Sequence, residues 1–134
     1  MAGETRVPIR HEADIVTARQ QGRALASQLS FSSIDQTLIA TAISEVARNI
    51  IVYARRGEIV LSLVQGEDGK RGIVIVARDE GPGIPDLALA LQNGYSTSNS
   101  LGMGLPGAKR MMDEFAVVSE VGKGTTITMK KWKQ

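Results

Sequence analysis

Apolar residues along this chain change their spacing from one segment to the next, and each spacing predicts an element. From Asp14 to Leu29, Ile15, Ala18, Leu25, Ala26 and Leu29 recur at helical intervals. The run Ser30-Phe31-Ser32-Ser33 interrupts them. Ser32 with Asp35, or Ser33 with Gln36, then reads as a capping box opening a second helix. That helix is expected to run to about Ala54, with the basic pair Arg55-Arg56 at its end and a C-cap at Gly57. Glu58–Gln65 and Gly72–Asp79 are rich in Ile, Val and Leu and flank the turn Gly66-Glu67-Asp68-Gly69-Lys70, which predicts a β-hairpin. Glu80–Leu101 is punctuated by Gly, Pro, Ser, Thr and Asn, with room for one short helix around Pro85–Gln92. A third helix fits Gly104–Glu114, and Phe115–Val121 with Thr125–Trp132 predicts a closing hairpin around Gly122-Lys123-Gly124. The expected architecture is an α+β two-layer sandwich, a mixed, mainly antiparallel sheet with helices on one face.

Composition narrows the class of protein. A length of 134 residues fits one domain spanning 1–134, and 43% hydrophobic with 22% charged residues is an ordinary globular balance. The absence of cysteine excludes disulfides, thiolate metal sites and cysteine nucleophiles. No apolar run approaches the ~20 residues of a membrane span, and the N-terminal stretch MAGETRVPIRHEAD lacks a signal-peptide core. The expectation is a cytoplasmic chain with no membrane partner. Lys123, Lys130, Lys131 and Lys133 gather near the C-terminus, but only Trp132 is interleaved as a stacking aromatic. They are expected to be a solvated last strand and tail, not a nucleic-acid surface.

Three segments carry candidate chemistry. On the second helix, Ile39, Ile43, Val46, Ala47 and Ile50 form one apolar stripe. Glu45 and Asn49 lie one turn apart, roughly 100–140° from the centre of that stripe, while Arg48 points away from the core. A magnesium ion needs few protein ligands beside a nucleotide's phosphates, and an asparagine carbonyl can be one of them. A carboxylate one turn earlier can take a proton from a hydroxyl nucleophile. The plainer reading is two polar flanks of an amphipathic helix. Next, Asp79-Glu80-Gly81-Pro82-Gly83-Ile84 follows a strong strand. Its carboxylate can accept from an exocyclic amine such as adenine's, or cap a tight turn. Last, Gly102-Met103-Gly104-Leu105 opens the third helix and can present backbone N–H groups to an anion. Ser96, Thr97, Ser98 and Ser100 add hydroxyls before it.

Look-alike motifs fall away on context. Gly102, Gly104 and Gly107 spell G-x-G-x-x-G, but no strand precedes them. No P-loop pattern occurs, and His11-Glu12 lacks the second histidine of a zinc helix.

E-x-x-x-N on a helix, D-x-G-x-G-I after a strand and G-x-G-L at a later helix resemble the N, G1 and G2 boxes of the Bergerat-fold ATPases and kinases. Gly124-Thr125-Thr126 is similar to a further Gly-Thr element of that family. The segments ADIVTARQQGRALA, IDQTLIATAISEVARNI, ARDEGPGIPD and NGYSTSNSLGMGLPGAKRMMDEF look like the stressosome switch kinases within its anti-sigma kinase branch. The resemblance implies a protein-serine/threonine kinase using ATP and Mg²⁺. Its substrates would be STAS-domain antagonist and scaffold proteins, and it would activate a PP2C-type phosphatase when released. Carried over residue by residue, Glu45 would be the catalytic base and Asn49 the Mg²⁺ ligand. Asp79 would bind the adenine amino group, with Gly81, Gly83 and Ile84 shaping that pocket. Ser96, Thr97, Gly102, Met103, Gly104, Leu105, Lys109 and Thr126 would complete the nucleotide site. The alternative is an anti-sigma factor, a binding module whose partner affinity is tuned by nucleotide.

Overall fold

In the computed structural model, which describes residues 4–82 and 104–133, three helices pack on one face of a five-stranded sheet. The elements run β1 (Thr5–Ile9), α1 (Glu12–Gln28), α2 (Ser33–Tyr53), β2 (Gly57–Gln65), β3 (Arg71–Asp79), α3 (Gly104–Met111), β4 (Glu114–Glu120) and β5 (Gly124–Trp132). Strand order is β1-β2-β3-β5-β4, and among the described strands every pairing is antiparallel, the limit of the mainly antiparallel sheet expected. The short helix expected around 85–92 lies outside the described residues.

The core sits between the sheet and α2. Ile39, Ile43, Val46, Ala47 and Ile50 are each at most 1% exposed, so the stripe predicted for this helix is its buried face. It packs on Ile59, Leu61, Ile73, Ile75, Ala77, Ile127 and Met129, which alternate along their strands as a one-sided sheet requires. Each large aliphatic buried there contributes about 1.5–3 kcal/mol relative to exposure. On β3 and β5 the odd-numbered residues therefore face the helices, a parity that matters at the site.

Strand β1 lies outside the elements that the apolar spacing predicts. It is five residues long and contains Pro8, which cannot donate to a ladder and so is tolerated at a sheet edge. That is its place: it pairs only with β2, from Thr5↔Leu61 to Ile9↔Gly57, and buries Val7 and Ile9. Helix α1 begins two residues earlier than its apolar periodicity suggested. The Asp14 carboxylate accepts from the backbone N–H of Arg10 at 2.8 Å and of His11 at 3.0 Å. These bonds, Arg10 first, hold its carboxyl below the usual aspartate value. Of the two capping boxes considered for α2, Ser32 forms the cap, its Oγ accepting from Asp35 N–H at 3.1 Å.

The end of α2 differs from expectation. Gly57 is not the cap but the first residue of β2, with its Cα close against Ile50 and the Arg78 carbonyl. The left-handed position after Ala54 falls to Arg55, at φ 72°. A residue with a Cβ pays roughly 1–2 kcal/mol there, partly offset because glycine loses more entropy on folding. Arg55→Gly is therefore expected to stabilise the fold by about 0.5–1 kcal/mol, seen as a Tm increase of about 2–4 °C.

Lys131 corrects the picture of a solvated basic tail. It is 9% exposed, and its ammonium donates to the Met111 carbonyl at 2.9 Å, with Asp35 at 4.0 Å. A cation on a terminal carbonyl is favourable at a helix C-terminus. This contact, with Asp113 N–H donating to the Lys130 carbonyl, ends α3 at Met111 and not at Glu114. Lys130 and Lys123 pair with Glu114 and Glu120.

Candidate nucleotide and phosphotransfer site

Helix α2 places Glu45 deeper than its sequence margin suggested. The side chain is 6% exposed, and Asn49, one turn on, is half-buried. Helix α3 covers it: Leu105, Ala108 and Met112 pack into the core beside α2 and bring the start of α3 over the carboxylate. Gly104 N–H then donates to Glu45 Oε2 at 3.1 Å. Gly104 has φ 64°, a backbone setting that glycine adopts without strain. One hydrogen bond thus joins two candidate motifs 59 residues apart in sequence. The other carboxylate oxygen, Oε1, faces Arg48 Nη1 at 3.4 Å.

Asp79 ends β3 on the helix side of the sheet, in register with Gly57 on β2 and Thr125 on β5. Its Oδ1 accepts from Gly81 N–H at 2.9 Å, so the turn-capping reading of this residue is realised. Among the described residues Oδ2 takes no further hydrogen bond, and a carboxylate keeps acceptor capacity for a ligand's amine. Gly81 lies against the end of α2, where an added Cβ would come within 2.5 Å of Ala54 Cβ.

The Gly-Thr element closes on this turn from β5. Gly124 has φ 124°, and a Cβ on it would stand 2.2 Å from the Asp79 carbonyl oxygen and 2.8 Å from Glu80 Cα. Only glycine meets both demands. Gly124→Ala is expected to destabilise the chain by about 2–4 kcal/mol, through overpacking and strained backbone together. Denaturant unfolding would measure it, and nucleotide affinity should fall in parallel because the Asp79 turn must shift.

Strand parity puts the two threonines of the Gly-Thr element on opposite faces of the sheet. Thr126 pairs with the exposed Arg78 and stands on the sheet face turned away from the helices. Thr125 shares the Asp79 face, is buried, and sits 2.8 Å from the Ser119 hydroxyl through its Oγ1. A shift of one residue along a strand changes face. The signal was available in sequence, since Ile127 marks the buried parity of β5. Leu105, expected at the nucleotide, is buried in the core, where it anchors the helix that carries Gly104. Lys109 is exposed in the second turn of α3. Gly83, Ile84, Ser96, Thr97, Gly102 and Met103 lie outside the described residues.

The one-sided antiparallel α+β fold, with Gly104 bonded to Glu45 on α2 and the Asp79 turn lying against the end of the same helix, is that of an ATPase domain. The chain belongs to the histidine kinase-like ATPase domain family, whose pattern matches residues 8–131. It is 51% identical over 132 residues to the serine/threonine-protein kinase RsbT of Bacillus subtilis (strain 168), covering 98% of both chains. It is 38% identical over 120 residues to the anti-sigma F factor of Geobacillus stearothermophilus, covering 85% of this chain and 81% of that one. Among solved structures, the RsbU and RsbW domains of Rv1364c from Mycobacterium tuberculosis superpose with a TM-score of 0.64 at 19% identity. That match covers 98% of this chain and 33% of the other, so it bears on the fold alone.

Proposed function

We infer that this chain is a protein-serine/threonine kinase that transfers the γ-phosphoryl group of ATP to a hydroxyl of a partner protein. The observation that supports it most is the Gly104–Glu45 hydrogen bond, since it holds a buried carboxylate against the start of a helix, the end that favours phosphate. The 51% identity to a serine/threonine-protein kinase supports the same reading.

In this proposal Asp79 Oδ2 accepts from the adenine amino group while Oδ1 keeps the turn in shape. With Gly104 N–H held by Glu45 and Pro106 lacking one, the N–H groups of Leu105 and Gly107 and the positive end of α3 face the phosphates. Glu45 removes the proton of the incoming serine or threonine hydroxyl. That oxygen forms a bond to the γ-phosphorus as the bond to the bridging oxygen breaks, and ADP leaves. The donor set fits Mg²⁺ only together with phosphates: Asn49 offers one neutral oxygen, and no cluster of three or more His, Asp or Glu occurs among the described residues. When bound, the ion would supply charge neutralisation at the β- and γ-phosphates.

The partners are proposed to be STAS-domain antagonist and scaffold proteins of a stressosome, with a PP2C-type phosphatase as the target of the released kinase, in the cytoplasm. No described helix is long and apolar enough to cross a membrane. Incubating the chain with a STAS-domain protein encoded nearby and labelled Mg·ATP tests this. Label on a serine or threonine is expected, and tight ATP binding without transfer would overturn it. The 38% identity to an anti-sigma F factor favours one rival, a sigma-binding module. Capture of a sigma factor but not of phosphatase or STAS protein would select the rival.

A further inference from the structure

Arg48 lies outside the roles assigned so far, yet it makes the ion pair nearest the proposed base. Its place on α2, three residues after Glu45, brings Nη1 to 3.4 Å from Oε1. The opposite oxygen is held by Gly104 N–H at 3.1 Å. The carboxylate is thus gripped from two sides, by a guanidinium on its own helix and by a backbone donor from α3. The two anchors differ in setting. Glu45 is 6% exposed, whereas the Arg48 side chain is 36% exposed and borders an open cleft with Glu12, Ala13, Ile15, Val16 and Arg19.

We propose that Arg48 is a positioning residue for phosphotransfer, fixing the Glu45 carboxylate in the orientation from which it meets the acceptor hydroxyl. The proposal rests on the reading of Glu45 as the base. With one anchor, a glutamate side chain can pivot about that bond, carrying the free oxygen an ångström or more off line. Misplacement of that size costs up to about 10²-fold in rate even when every reacting group is present. A carboxylate largely out of water also requires a compensating partner, and Arg48 is the cation within 4 Å of it among the described residues. The guanidinium is suited to the task because its planar fork loses little freedom on pairing, whereas a lysine ammonium is a point charge on a flexible stem.

This role separates from the other that the cleft permits, direct contact with the protein substrate. A positioning residue acts on the chemical step, and a docking residue acts on substrate affinity. Arg48→Ala and Arg48→Lys should be assayed for transfer to the STAS-domain substrate over a range of its concentrations, with ATP affinity measured separately. The expected result for Arg48→Ala is a fall in kcat of roughly tenfold or more. KM for the protein and ATP affinity should each stay within about twofold, since neither binding surface is removed. Arg48→Lys should recover part of the rate, and it keeps the measurement open if the alanine variant folds poorly. A raised KM with kcat preserved would overturn the proposal in favour of docking. Unchanged kinetics in both variants would overturn it outright. Glu45→Gln, assayed alongside, keeps the two readings apart. Full transfer by Glu45→Gln removes the base itself, while an inactive Glu45→Gln with an unaffected Arg48→Ala removes the positioning role alone.

Discussion

Replacing Glu45 by glutamine is expected to cut phosphotransfer by about 10²-fold or more while leaving ATP binding nearly intact, at a small stability cost because its NH₂ then faces Arg48, whose part-exposed guanidinium can turn to water. The structure makes this a sharp test. Glutamine keeps the length of the side chain and one oxygen that can accept from Gly104 N–H, so the start of α3 stays in place. What it loses is the capacity to take a proton. Alanine loses both, and Glu45→Ala should therefore combine the same rate loss with a stability loss of about 1–3 kcal/mol from the Gly104 donor left unpaired. Single-turnover transfer measured with ATP affinity gives the answer. Transfer by Glu45→Gln at the parental rate would show that the residue is no general base.

Asp79→Asn is expected to act on binding. In the structure Oδ1 is committed to Gly81 N–H, which leaves Oδ2 for the ligand. Asparagine has one oxygen and one NH₂ in those two places. Whichever way the amide turns, a donor faces a donor, either at Gly81 or at the adenine amine. Leaving one partly buried group unpaired costs about 1–3 kcal/mol, which is roughly a tenfold to hundredfold rise in the Kd for ATP. Calorimetry with ATP would measure it. Guanine nucleotide, which presents a carbonyl where adenine carries the amine, should be discriminated against less by the variant than by the parent chain. Equal ATP affinity in the two proteins would remove Asp79 from the adenine contact.

Much of this architecture can be read from local pattern. The buried stripe of α2, the Ser32 cap and both hairpins each depend on residues within a few positions of one another, so spacing alone exposes them. The elements that escaped are those decided elsewhere. Strand β1 is too short to announce itself and exists because the edge of β2 is open to pair it. Lys131 reads as a tail residue until α3 ends against it and supplies the Met111 carbonyl. Arg55 takes the left-handed position that a glycine two residues later could have filled, because Gly57 is needed where β2 passes under Ile50.

The sequence by itself determined the candidate chemistry: a carboxylate and an amide one turn apart, an acid before Gly-x-Gly, glycines before a helix and a Gly-Thr turn. Each is a local arrangement of donors and acceptors, legible from residue type and spacing. Tertiary structure alone decided which of them lie together. It set Glu45 under Gly104, put Thr125 and not Thr126 on the Asp79 face, and closed Gly124 over the Asp79 carbonyl. Those outcomes depend on how α3 packs on α2 and on the register of β3 with β5. Packing and register follow from the shared core, through contacts tens of residues apart that no single segment encodes.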